Sequence, residues 1–148
     1  MAESIAFVDN EFVPITEAKI SIMEPTFTKS DVVYDTISSY RGYIFRLDDH
    51  LERFESSFRA MQLNPPYSLD EIRHIVAEMV IRSDFDNTCI TLMATRGPFI
   101  DLANRDIRKC KNGLMAVCVP YYWVLGEDKQ TTGVNMVITD NQRVPLEA

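Results

Sequence analysis

The chain has 148 residues, of which 46% are hydrophobic, enough apolar material for one packed core and a single domain. Its formal net charge of −7 excludes the usual nucleic-acid and anionic-membrane partners, which need basic charge to displace counterions from phosphate. Cys89, Cys110 and Cys118 are an odd set without C-x-x-C spacing, so neither a disulfide framework nor a zinc site is expected, and a cytoplasmic chain fits best.

The acidic residues Glu3, Asp9, Glu11 and Glu17 argue against a signal peptide. Ile5 to Val8 and Glu11 to Pro14 read as a first hairpin, because Asp9-Asn10 tolerates the positive φ of a tight turn. Ala18 to Met23 reads as a third short extended piece. From Phe27 the chain alternates apolar and polar side chains as a half-buried strand does, pauses at Arg41-Gly42 and resumes at Tyr43 to Leu47. A second hairpin is therefore expected.

Leu47, Leu51, Phe54, Phe58 and Met61 then recur at three- and four-residue steps, the pattern of an amphipathic helix opened by Asp48 and Asp49. Asn64-Pro65-Pro66 stops it. A second helix starts at Ser68, which Glu71 completes as a capping box, and buries Leu69, Ile72, Ile75, Val76, Met79 and Val80. Thr88 to Thr95 is β-branched and apolar enough for an interior strand.

Arg96 to Lys111 lacks either period and reads as a long surface loop of the kind that borders binding sites. Gly113 to Leu125 and Gly133 to Thr139 are read as two more strands. The longest apolar run, Ala116 to Leu125, is too short for a bilayer span and contains Pro120, so no membrane insertion is expected. The order β-β-β-β-β-α-α-β-β-β specifies an α+β fold, a mainly antiparallel sheet with two helices packed on one face. Ending at Val144-Pro145-Leu146-Glu147-Ala148, with no helix or cap after the last strand, the domain looks cut rather than finished.

The runs VVYDTIS (Val32 to Ser38), YIFRLDDHLERF (Tyr43 to Phe54) and ATRG (Ala94 to Gly97), in that order, resemble the amino-terminal domain of class IV, or fold type IV, pyridoxal-phosphate aminotransferases. The resemblance is nearest to the (R)-selective amine transaminases and extends from IAFVDNEFVP to the final RVP. It implies pyridoxal 5'-phosphate as cofactor, a primary amine or amino acid and a keto acid as substrates, and a homodimer. It also implies that residues 1–148 are a small domain ending before a second domain that bears the Schiff-base lysine.

Within that resemblance Arg53 takes the place of an arginine that reaches the cofactor phosphate, a task that suits paired guanidinium donors. Read without it, Arg53 is a solvated partner of Asp49 or Glu52. Tyr34 takes the place of an active-site tyrosine, against the plainer reading of a core tyrosine with a wet edge. Thr36, two residues on and so on the same face, would line the small side of the substrate pocket. Lys29 stands where related sequences often have His or Tyr. Arg105, rather than Arg96, matches a loop arginine that meets a substrate carboxylate, each having an acidic neighbour as the alternative. Tyr121-Tyr122-Trp123 is pocket wall, core or dimer contact.

Asp48-Asp49-His50 does not make a metal site, since acidic residues at a helix start answer its dipole and adjacent helical side chains diverge. Lys19, Lys29, Lys109, Lys111 and Lys129 all sit in polar or turn surroundings, so no catalytic residue is assigned and the chain alone should not turn over. Two other readings remain: a non-catalytic half-domain that binds a partner, and a relative of aminodeoxychorismate lyase.

Overall fold

The computed structural model of the chain describes residues 2–140. Strands β1 (Ile5–Val8) and β2 (Glu11–Pro14) pair through a two-residue turn in which Asp9 and Asn10 have φ of 51° and 67°. Both central residues being left-handed is the type I′ geometry, whose twist matches that of the strands it joins.

The chain then makes a turn at Ser21, whose carbonyl accepts from Glu24 N at 3.1 Å, and enters a short helix, α1 (Pro25–Lys29). The turn corrects the extended reading of Ala18 to Met23, and the helix corrects the strand read from Phe27, since the next strand begins only at Val32. Pro25, at the first helical positions, has its φ preset for a helix start, and no neighbouring strand is available to hold residues 18–23 extended. Ile20 and Ile22 remain exposed.

Strand β3 (Val32–Tyr40) follows, and Arg41 and Gly42 turn it at φ 49° and 77° into β4 (Tyr43–Ile44). Helix α2 (Leu47–Ala60) begins almost at once, entered through Arg46 in a left-handed conformation at φ 48°. Its N-cap makes no side-chain capping bond, so Asp48 and Asp49 in the first turn answer the helix dipole instead, Asp49 also accepting from Arg46 Nε. Helix α3 (Leu69–Ser83) carries the expected capping box: Glu71 N donates to Ser68 Oγ, and Ser68 N donates back to Glu71 Oε2 at 2.7 Å.

Strand β5 (Asn87–Thr95) leads through a long connection, with one 3-10 turn at Ile107–Lys109, into β6 (Gly113–Pro120). A last short helix, α4, spans Lys129–Thr132. The six strands form one sheet in the order β2-β1-β6-β5-β3-β4, with every pair antiparallel. The two hairpins therefore supply the edges, while β5 and β6 fill the centre.

Helices α2 and α3 cover one face. Leu51, Phe54 and Phe58 of α2 and Ile72, Val76 and Met79 of α3 meet Ile37, Ile90, Leu92, Ala116 and Cys118 of the sheet. Each large side chain so buried contributes about 1.5–3 kcal/mol. On the opposite face Tyr34, Thr36 and Tyr40 of β3 are exposed and Met93, Met115 and Val117 half-buried.

Two strand expectations are revised. β6 ends at Pro120, which has no N–H to carry the ladder onward, and residues 122–125 are exposed. Gly133 to Thr139 is not a strand: Met136, Val137 and Ile138 are 88%, 86% and 98% exposed, and nothing among the described residues pairs with them. Strand propensity is realised by packing against neighbours, and here there are none. The sequence's closing residues Val144 to Ala148 lie outside the described residues. No helix among the described residues is long and apolar enough to cross a membrane.

Candidate functional site

A strand that alternates faces places Asp35, Ile37 and Ser39 of β3 under the helices, and Tyr34 and Thr36 on the open side. A carboxylate at a core-facing position needs partners, and α2 provides two from its first turns. Arg53 Nε donates to Asp35 Oδ2 at 2.7 Å and Arg53 Nη2 donates to Asp35 Oδ1 at 2.8 Å. His50, three residues earlier and on the same helix face, sets Nδ1 2.7 Å from Asp35 Oδ1.

Burial of Asp35 raises its carboxyl pKa, but the hydrogen bonds from Arg53 and then His50 outweigh burial and hold it below the ordinary value of 3.8. The same contact with Asp35 pushes the Arg53 guanidinium upward. Asp35 is thus an ionised acceptor, and a bare lone pair on His50 Nδ1 would repel it at 2.7 Å. The Nδ1 proton therefore points at Asp35, and the 2.9 Å approach of Arg53 Nη2 to the same nitrogen is a shared neighbourhood rather than a hydrogen bond.

The exposures divide the cluster. The Asp35 side chain is 4% exposed and the Arg53 side chain 63%. Asp35 occupies the Nε and one Nη side of the guanidinium, and Nη1 has no hydrogen-bond partner among the described residues on a side chain 63% exposed. That is a fixed cation with donors to spare, suited to a doubly charged phosphate monoester.

The edge of β3 beside it is open as well. β4 pairs only Ser39 with Ile44 and Tyr40 with Tyr43, so among the described residues no strand lies on the outer side of the β3 backbone from Val32 to Ile37. Tyr34, Thr36 and the Arg53 cluster flank that same uncovered edge, from opposite faces of the sheet.

The other expected residues are placed differently. Lys29 ends α1 and is exposed. Arg105 is exposed in the β5–β6 connection, where its one bond is Nε to Leu102 O at 3.3 Å. Arg96 is not a surface residue at all. It donates through Nε and Nη2 to Asp31 at 2.9 and 3.1 Å, and through Nη1 and Nη2 to the Gln62 and Met61 carbonyls at 3.1 and 2.9 Å.

Tyr121 packs between Tyr40 and Trp123, with ring centroids 5.3 and 4.8 Å away. All five lysines are exposed. Cys118 is buried as a small hydrophobe would be, while Cys89 is half-buried on the open face. A separate concavity of about 550 Å³ opens near the β1–β2 turn, lined by Asn10, Lys19, Tyr67 and Lys111 among others, and includes neither Arg53 nor Tyr34.

Sequence reasoning passed over Asp35 and His50. The signal for the first was its phase: on a strand where Ile37 faces the core, the residue two before it does too, and an acid there demands a cation. The signal for the second was its spacing from Arg53, which places both on one side of α2.

The family described as "Amino-transferase class IV" matches residues 32–148. A branched-chain-amino-acid aminotransferase-like protein 2 of Arabidopsis thaliana is 34% identical over 97 residues, which cover 65% of this chain and 17% of that protein. A D-alanine aminotransferase of Staphylococcus haemolyticus is 33% identical over 91 residues, covering 62% of this chain and 32% of that one. Among solved structures, the branched-chain aminotransferase of Thermoproteus uzoniensis, crystallised with norvaline, superposes on 80% of this chain and 41% of its own, with a TM-score of 0.69 at 27% identity.

The chain thus spans less than half the length of each of these proteins. The α+β fold with its six-stranded antiparallel sheet and the family match over β3, α2, α3, β5 and β6 agree: the chain belongs to the class IV aminotransferases.

Proposed function

We propose that this chain is the amino-terminal small domain of a pyridoxal-phosphate-dependent transaminase, and that it grips the cofactor's phosphate through Arg53. The observation that carries the reading is the Arg53 guanidinium, fixed by Asp35 at 2.7 and 2.8 Å yet 63% exposed. Its donor set fits a phosphate dianion. The bound cofactor supplies the electron sink for moving an amino group between carbon skeletons.

The chain's own residues bind and enclose. Arg53 anchors the phosphate, while Tyr34 and Thr36, both exposed on the same face of β3, form a wall on the substrate side. Lys29 and the Arg105 guanidinium, both in solvent, are the further contacts proposed for the substrate, Arg105 for its carboxylate. The relatives named above act, by their names, on amino acids, which favours an α-amino acid and a keto acid over a simple amine, and leaves (R)-selectivity as a proposal of its own.

None of the five lysines is enclosed, which supports a cofactor-linking lysine outside these residues, in a second domain, and no transamination by this chain alone. A homodimer and a cytoplasmic setting complete the proposal.

Equilibrium dialysis of the chain against pyridoxal phosphate and against pyridoxal tests it. The phosphorylated form should be held more tightly, and Arg53→Ala should abolish the difference. Borohydride treatment should leave no single lysine stoichiometrically modified. Equal retention of the two compounds by the wild-type chain, or one fully trapped lysine, would defeat the reading.

A further inference from the structure

The Arg53 side chain ends in a guanidinium that would, on an exposed helix face, sample many rotamers and lose that freedom on binding an anion. In this protein the freedom is already removed. Asp35 accepts from Nε and Nη2, one on each carboxylate oxygen, and its Oδ1 also accepts from His50 Nδ1. The carboxylate lies under the helices at 5% exposure, where β3 and α2 pack together, so it cannot follow Arg53 into solvent.

We infer that Asp35, braced by His50, is a positioning residue: it fixes the plane of the Arg53 guanidinium so that the solvent-facing N–H groups are presented to a phosphate monoester before that ligand arrives. The inference rests on the reading of Arg53 as a phosphate ligand.

Two effects of Asp35 on an anion at Arg53 have opposite signs, which makes the idea testable. As a charge, a carboxylate in contact with the guanidinium repels a phosphate dianion, so its neutralisation should tighten binding by Coulomb's law. As a support, it removes the ordering cost of the side chain, so its loss should weaken binding. A residue serving only to stabilise the fold would leave just the first effect in any variant that still folds. The inference holds that the second wins.

The experiment uses the chain itself, inorganic phosphate as the probe, and the Arg53 Nε–H cross-peak in nitrogen-15 NMR as the readout. In the wild type that peak should be distinct from those of free arginine and should move on titration with phosphate. Asp35→Asn keeps the side-chain shape but replaces an acceptor oxygen by a donor. It should return the peak to the position of a free arginine and weaken phosphate binding by about tenfold, the scale of one lost charge-assisted hydrogen bond.

Asp35→Glu retains the charge and displaces the carboxylate by one methylene, and weaker binding is expected there too, so the test survives if the asparagine variant does not fold. His50→Phe should loosen the peak and weaken phosphate binding by about threefold, at the low end for one hydrogen bond because His50 acts through Asp35. Unchanged or tighter phosphate binding in the folded Asp35 variants would overturn the inference while leaving Arg53 as a ligand. A wild-type peak that ignores phosphate, or phosphate binding unaffected by Arg53→Ala, would instead remove the underlying reading.

Discussion

Two arginine–aspartate pairs in this fold use the same chemistry to opposite ends. Arg96 and Asp31 join the ends of β5 and β3, and their side chains are 11% and 15% exposed; Arg53 and Asp35 join α2 to β3, at 63% and 4%. Each arginine gives Nε and Nη2 to its carboxylate. Arg96 also gives an Nη1 and an Nη2 hydrogen to the Gln62 and Met61 carbonyls just past α2, which a helix C-terminus otherwise leaves without partners, so four of its five donors are used. Arg53 keeps donors facing water. A guanidinium with most of its donors used inside the fold is a brace, whereas one with donors left over on a rigid support suits the phosphate contact proposed for Arg53.

The largest test of that contrast is Arg96→Ala, which strands a half-buried carboxylate and two helix-end carbonyls. We expect a stability loss of about 3 kcal/mol, in the range for breaking one side of a buried pair, read by urea unfolding. A loss under about 1 kcal/mol would mean the brace carries no load. The adjoining Gly97, at φ 74°, tolerates no substitution easily, since a Cβ there would stand 1.7 Å from the Lys111 carbonyl oxygen. Gly97→Ala should destabilise by more than about 1 kcal/mol because both the backbone conformation and the close approach are lost.

Acid should reveal the second pair. Because the folded Asp35 carboxyl titrates below its usual 3.8, its stabilising contribution is fully present above that pH and disappears as pH falls through the lower, folded-state value. Wild-type stability should therefore drop more steeply below about pH 4 than that of Asp35→Asn. Parallel curves would show that the carboxylate's contacts add nothing to folding. Arg53→Ala should also lower stability in urea unfolding, because it leaves the Asp35 carboxylate, 4% exposed, with His50 as its remaining side-chain partner among the described residues, and it should remove the proposed phosphate binding. The smallest effect belongs to Arg105→Ala. With one 3.3 Å bond to a loop carbonyl, its unfolding midpoint should coincide with wild type, and a clear shift would reveal a structural role.

Much of this was legible in residue order. The periodicities of Leu51, Phe54 and Phe58, of Ile72, Val76 and Met79, and of Thr88 to Thr95 specify elements because each buries a stripe that the pattern marks. Asp9-Asn10 and Arg41-Gly42 specify turns because few residues tolerate their φ values. What patterning missed depends on neighbours: Gly133 to Thr139 has strand-forming residues but no partner among the described residues, and Phe27 to Lys29 yields to a proline-led helix.

The site was half legible. Motif likeness pointed to Arg53 and Tyr34, yet the partner of Arg53 was sought along its own helix, at Asp49 or Glu52, when it stood across the packing interface at Asp35. Arg96 and Arg105 look alike in sequence, and only burial separates them.

The tight passage from β3 through β4 into α2 has a consequence for the order in which the molecule assembles. Asp35 and Arg53 are 18 residues apart and Asp31 and Arg96 are 65. Closing the longer loop costs about 1 kcal/mol more in chain entropy. The Asp35–Arg53 pair should thus form among the earliest tertiary contacts on refolding and the Asp31–Arg96 pair later, an order that pulsed hydrogen exchange comparing α2 with the end of β5 would register.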